Sequence, residues 1–309
     1  MRLLRWATAL VATTCIPLVV AAPTLESRKQ GSDEYTKRKN NQMRDAGSTT
    51  KYFHEPGTDD ILGHYDARYF KGVVDYDVRT DTLHHLIRSY LLFFQEKGLE
   101  TWIAHGTLLG WWWNGQILPW DWDIDTQVSG ETLAYMAANL NRTTYHYTSS
   151  SSSPDGEEKV QREYLLDVNP WSWQRVHGDG MNIIDARWID IRNGLYIDIT
   201  GLSEIHPDTN PGVWECKNHH KYRTKDLYPM RESIYEGVPA KIPYAYDKIL
   251  LEEYREKALV LTEYEGHQWN EQERLWVKKP KPGKGNLASR EPVNNPKKRS
   301  WMAGLLNGA

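Results

Sequence analysis

Three aspartates at alternate positions, Asp121, Asp123 and Asp125, stand just after a short glycine-bearing run, Gly106-Thr107-Leu108-Leu109-Gly110. In extended chain alternate residues share a face, so the spacing predicts an acidic face opposed by Trp120, Trp122 and Ile124. Carboxylates crowded on one strand repel, and a hard divalent cation such as Mg2+ or Mn2+ relieves that repulsion through oxygen ligands. Asp123 belongs to either pair, Asp121 with Asp123 or Asp123 with Asp125, and is the firmest expected ligand. The plain reading is the solvated face of an amphipathic strand. Against it stands the preceding Gly106-Thr107, a turn suited to close approach of a phosphate, with His105 beside it as a lesser contact.

A second acidic position comes from Asn193-Gly194, a hairpin signal between two alternating apolar runs. A two-residue turn would pair Arg192 with Leu195, Asp190 with Ile197 and Ile189 with Asp198. Asp198 then shares a face with Arg187, Ile189 and Tyr196, while Asp190 lies on the reverse with Trp188. Arg187 is a candidate phosphate contact, or else simply the partner that satisfies Asp198. Cys216, His219 and His220 lie within five positions of one another, but a lone Cys-x-x-His is poor support for zinc, and a buried free thiol is the better reading.

Stepping outward, a helix from Asp81 as cap to Gly98 as stop carries Leu83, Leu86, Ile87, Tyr90, Leu91 and Phe94 at three- and four-residue intervals. Glu100 to His105 reads as a short strand. Ser129 caps a further helix through Asn139, residues 149–159 read as a loop, and a last helix runs from about Tyr244 to Ala258.

The glycine run followed by Ile117-Leu118-Pro119-Trp120-Asp121-Trp122-Asp123-Ile124-Asp125 resembles the signature of the LicD family, and its flanks are most similar to the fungal branch of mannosylphosphate transfer proteins. The likeness spans roughly residues 60–270 and is most specific at 105–126. It implies an α/β (α+β) fold with a nucleotidyltransferase-like core, a mixed sheet flanked by helices. It also implies movement of a phospho-sugar or phospho-alcohol from a nucleotide-activated donor, such as a nucleotide-sugar donor, onto a glycan acceptor, with Mg2+ or Mn2+ held by Asp121, Asp123 and Asp198. Asp198 is chosen over Asp190 because family members carry their third carboxylate in a downstream strand of the type Tyr196-Ile197-Asp198-Ile199. The mannosyl group and a GDP-mannose donor follow only from the fungal likeness. The rival readings are a lumenal Asp-x-Asp glycosyltransferase and a non-catalytic glycan-binding or regulatory protein of the same fold.

A net charge of -3 gives no electrostatic case for nucleic acid, while 14 Trp and 18 Tyr against 4 Phe suit sugar faces as well as cores. Arg2 and Arg5 precede an uncharged run from Trp6 to Ala22, read as a signal peptide or a signal-anchor that would tether the protein to a membrane. That places the body in the secretory pathway, in the Golgi lumen or secreted. Residues 23–50 read as a polar disordered stem, 51–277 as one catalytic domain and 278–309 as a basic disordered tail.

Overall fold

The computed structural model describes residues 51–153, 156–177 and 181–280. The expected signal or anchor, the stem and nearly all of the basic tail lie outside them. Residues 51–261 of the described chain form one compact unit and 262–280 belong to a second. The second holds three short antiparallel strands, Glu263–Tyr264, His267–Asn270 and Leu275–Lys278.

The first long helix, α1 (Tyr76–Glu96), begins earlier than expected, because Asp75 rather than Asp81 is its cap: the Asp75 side chain accepts from Val78 N at 2.9 Å. Asp81 lies inside the helix and pairs with Arg162. Gly98, at φ 63, follows the end of the helix, as its position in the sequence suggested.

The main sheet has eight strands: β1 (Trp102–Ile103), β2 (Asp125–Ser129), β3 (Thr143–Ser153), β4 (Gly156–Val168), β5 (Ala186–Asp190), β6 (Tyr196–Glu204), β7 (Val213–Glu215) and β8 (Lys221–Arg223). Its path is β1-β2-β6-β5-β4-β3, with β7 and β8 continuing from β6. Only β2 and β6 run parallel. With helices packed against it, the protein is a mixed-sheet α+β fold, as the sequence led us to expect. The serines of 149–153 are not in a loop; β3 and β4 pair as far as Ser153↔Gly156, a case of cross-strand pairing overriding weak strand propensity.

Two misreadings concern the chemistry. Gly106-Thr107 does not form a turn before a strand; it lies in the first turn of helix α2 (His105–Asn114). Glycine disfavours helix, but Gly110 is needed where a Cβ would come within 2.5 Å of Gln116 O. Nor are Asp121 and Asp123 on a strand, since β2 starts only at Asp125. Pro119 offers no N–H to a ladder, Asp121 N donates to Leu118 O (2.9 Å), and Asp123 N donates to Asp121 Oδ1 (3.2 Å), so the segment coils locally.

The Asn193-Gly194 hairpin forms with a longer loop. Ile189 faces Tyr196 and Arg187 faces Asp198, a register two residues away from the one expected. Asp190 Oδ1 accepts from Arg192 N (2.9 Å) and Gly194, at φ 89, donates to Asp190 O (2.8 Å), closing a four-residue turn. A shift of two leaves every side chain on its expected face, so Asp198 and Arg187 remain together.

One face of the sheet packs on α1. Trp188 Nε1 donates to Ser89 Oγ (3.0 Å), Thr126 Oγ1 bonds Tyr90 OH (3.0 Å), and Phe93 stacks obliquely on Trp188 with centroids 4.9 Å apart. Tyr90, Phe93, Trp188 and Ile197 are fully buried. The chain continues through α3 (Gly130–Tyr135), capped by Ser129 as expected but extended by a wider π turn over Met136–Leu140. After β8 come α4 (Thr224–Leu227), a hairpin of β9 (Arg231–Tyr235) and β10 (Val238–Ile242), and α5 (Tyr246–Val260). In α5, Ile249 and Leu250 are buried.

Candidate functional site

The sheet face away from α1 carries a row of charge from strand to strand. Asp125 on β2 lies beside Asp198 on β6, Asp198 lies opposite Arg187 on β5, and Arg187 lies opposite Asp167 on β4. Parallel pairing of β2 with β6 thus sets two carboxylates side by side, which no hairpin could have done between strands so far apart in sequence. The coiled segment before β2 adds the other two. Asp121 stands over the start of α2, where a Cβ on Gly106 would approach its Oδ2 to 3.0 Å. Asp123 has His64 Nδ1 at 4.0 Å.

The electrostatics show that the four acids feel one another. Burial, reinforced by the Asp123 charge, pushes Asp121 up to about 7. Burial also raises Asp198, to about 6, with Asp123 adding to the shift and Arg187 opposing it. Asp125 is raised well above the carboxylate range by burial and then by Asp123. Positive charge comes from His105 and Arg187. Burial disfavours the His105 imidazolium, but Glu253, then Asp125 and Asp123, outweigh it and hold its pKa at about 9.

The residues expected to touch phosphate are placed unevenly. Arg187 is 2 % exposed; its Nε donates to Asp198 Oδ1 (2.9 Å) and its Nη2 to Glu55 Oε1 (2.6 Å), with the guanidinium 3.6 Å from the Tyr196 ring centroid. It holds Asp198 in place instead of facing a ligand. Thr107 Oγ1, also buried, accepts from Asp125 N (2.9 Å) and fastens α2 to β2. Gly106 does lie at the acids, and the opening N–H groups of α2 lack helical partners, as at any helix start. His105 is beside them but bonds Glu253 through Nδ1 (3.0 Å).

Several residues of the site gave no signal in sequence. Glu55 and His64 come from the irregular segment before α1. Arg79 of α1 donates to Pro119 O (2.6 Å) with its guanidinium 4.4 Å from the Trp122 ring centroid, clamping the coil that carries Asp121. The hydroxyl of Tyr254, on α5, lies 3.9 Å from where a Gly106 Cβ would be. A downstream acid at 253 could be noticed only by knowing which face of α5 meets α2.

For a metal, the donors are all carboxylate oxygen, the chemistry of a hard dication, and their pKa values are raised first by burial and then by the charge of Asp123. Among the described residues, no three His, Cys, Asp or Glu side chains already enclose an ion, so completing a shell takes side-chain rotation. The Cys216, His219 and His220 group does not converge: Cys216 is buried with its Sγ 3.4 Å from His220 Nδ1, whereas His219 turns to Glu215 (2.9 Å).

Two parallel strands set Asp125 beside Asp198, and the start of α2 lies against Asp121. Residues 98–245 match the nucleotidyltransferase domain of LicD, FKTN and FKRP, so this stretch is a LicD-family domain. Two curated relatives from Saccharomyces cerevisiae are similar over part of it. Mannosyltransferase regulator 14 is 39 % identical over 146 residues, 45 % of this chain and 14 % of the relative. Mannosyltransferase regulator 4 is 34 % identical over 160 residues, 50 % of this chain and 13 % of the relative. The chain therefore spans only about one-seventh of the length of these relatives. Both relatives carry names that tie them to a mannosyltransferase.

Proposed function

We propose that this protein transfers a sugar phosphate, mannose 1-phosphate from GDP-mannose, onto a cell-wall or glycoprotein glycan in the secretory pathway, in the Golgi lumen or after secretion. The observation that carries the reading is the meeting of Asp125 and Asp198 on adjacent parallel strands beside Asp121 and Asp123. Mg2+ or Mn2+, held by Asp121, Asp123 and Asp198, would neutralise charge on the donor's phosphates. The open N–H groups at Gly106 would orient the same phosphates through the positive end of α2.

In the reaction an acceptor hydroxyl oxygen bonds the sugar-bearing phosphorus while the bridge to the other phosphorus breaks. GMP leaves, a phosphodiester remains, and the hydroxyl proton needs a base. Asp198, whose direction Arg187 fixes, serves in one of two ways: it completes the shell of the dication, or, where Asp121 and Asp123 hold the ion without it, it takes that proton. The test is to incubate the protein with GDP-mannose, Mn2+ and mannan, then identify the nucleotide released. GMP with phosphorus on the glycan supports the proposal, GDP marks a glycosyltransferase, and neither refutes catalysis by this chain alone. Asp123→Asn should abolish transfer with the fold kept by circular dichroism.

A second reading has its own support: both relatives are called regulators of mannosyltransferase. A regulatory protein of this fold would bind mannan equally well with or without chelator, which equilibrium binding measures directly.

A further inference from the structure

The matched family stretch ends at residue 245, yet the group that fixes the start of α2 comes from beyond it, on α5. Glu253 joins two elements. Its Oε2 lies 3.0 Å from His105 Nδ1, and its Oε1 accepts from Tyr222 OH at 3.0 Å. The His105 ring in turn packs on His220, centroids 4.4 Å apart, and its Nε2 sits 3.4 Å from Gln127 Nε2 of β2. Both ends of the His105–Glu253 contact adjoin unusual backbone. His105 has φ 50, a left-handed value for a non-glycine residue at the first position of a helix. Arg255, two residues after Glu253, has φ 64 and ψ 165, a region that essentially only glycine populates. Each departure persists only where surrounding contacts over-determine it.

Both strained residues flank contacts that aim at one place. With His105 in this conformation, α2 starts at the acids, and Gly106 faces Asp121 and the Tyr254 hydroxyl. The break at Arg255 ends the regular part of α5 just after Glu253 and Tyr254, the two residues that face α2. Lower down, Trp113 Nε1 donates to Ala258 O (3.3 Å), so the two helices are fastened at both levels.

We propose that Glu253 is a positioning residue for the donor phosphates: by holding His105 between Tyr222 and the start of α2, it keeps the N–H groups at Gly106 and Thr107 turned toward the carboxylates. The claim rests on the phosphate-donor reading above and adds to it a required element outside the matched domain. Glu253 itself need not touch the ligand. Its effect should fall on phosphate binding, not on the oxygen ligands of a dication, because none of its bonds goes to Asp121, Asp123, Asp125 or Asp198.

The experiment measures two affinities on the full chain by calorimetry, Mn2+ alone and GDP in the presence of saturating Mn2+, for the wild type, Glu253→Gln and Tyr222→Phe. Tyr222→Phe keeps the carboxylate but frees one of its oxygens, and it serves if Glu253→Gln fails to fold. Misplacement of about 1 Å is worth up to about a hundredfold in a positioned site, so Glu253→Gln should weaken GDP about ten- to a hundredfold and Tyr222→Phe by less. Mn2+ affinity should not weaken in either. His105→Gln should weaken GDP by a similar factor, and the double variant with Glu253→Gln should be no worse than the weaker-binding single. GDP binding unchanged in the variants, or GDP and Mn2+ weakened in proportion, overturns the positioning role and leaves the donor reading standing. A wild type that binds Mn2+ but no GDP overturns both.

Discussion

Asp121→Asn should make the metal-free protein more stable at neutral pH, although it removes a residue assigned to catalysis. Burial and the Asp123 charge raise the Asp121 pKa from 3.8 to about 7 in the folded chain. The folded state therefore holds a proton that the unfolded state releases as pH rises past about 4, and stability falls from there to about pH 7. The shift is about three units, and at about 1.4 kcal/mol per unit the ceiling is about 4 kcal/mol at pH 7.5. Part of that reflects repulsion that relaxes when neighbouring side chains turn, so about 1–3 kcal/mol is the expected gain for Asn. Asn keeps an oxygen that can accept from Asp123 N. The assay is urea unfolding of both proteins in chelator from pH 3.5 to 7.5. The curves should coincide at the acid end and separate steadily as pH rises, with the variant above. A variant less stable at pH 7.5, or a difference that does not change with pH, refutes the claim that these acids repel one another in the folded protein. Added Mn2+ should raise the wild-type midpoint at pH 7.5 and move the variant far less.

Asp198→Asn should remove transfer and also lower stability, because it takes one of two carboxylate partners from buried Arg187, whereas Asp190→Asn, which weakens a fully buried carboxylate holding Arg192 and the hairpin loop, should cost about 1–3 kcal/mol in unfolding experiments and spare turnover per folded molecule. Gly106→Ala should leave stability within about 1 kcal/mol, since alanine favours helix, yet lower transfer, because its Cβ would press within 3.0 Å of Asp121 Oδ2. His85, 8 % exposed and held near 4 mainly by burial and then by Arg162, stays neutral in the folded chain while the unfolded chain protonates near 6.5. Stability from this group is complete above about pH 6.5 and falls by up to about 1.4 kcal/mol per pH unit toward pH 4. His85→Gln should lack that acid limb when unfolding is followed across the same range.

What could be read in the sequence depended on whether the reason was local. The core stripe of α1, the serine cap of α3 and the face shared by Asp198 and Arg187 follow from spacing within a few residues, and they stand in the structure. The hairpin shows the limit: the faces were right because its loop is longer by two residues than the turn signal implied, and two is the period of a strand. The acidic run misled for a reason also local but overlooked, because Pro119 and the Asp121 side chain favour a coil over a ladder. Gly106-Thr107 misled because glycine reads as a turn, while its actual use is to let a carboxylate lie against a helix start. The pairing of Asp125 with Asp198 depends on β2 and β6 becoming neighbours, and nothing near either residue encodes that.

The charge of the site is balanced from outside the stretch that defines the family. The four acids lie within residues 98–245, and so do Arg187 and His105. Yet Arg187 is shared with Glu55, Asp121 is approached by Arg79, Asp123 by His64, and His105 is fixed by Glu253, all from flanking segments. The same flanks supply α1, whose aromatic side chains cover the back of the sheet that presents Asp125 and Asp198. Removing a partner from a buried charge costs about 3–5 kcal/mol, and Arg187 and His105 would each lose one if the matched stretch stood alone. The smallest folded piece that can keep these carboxylates in place therefore runs from about Glu55 through α5.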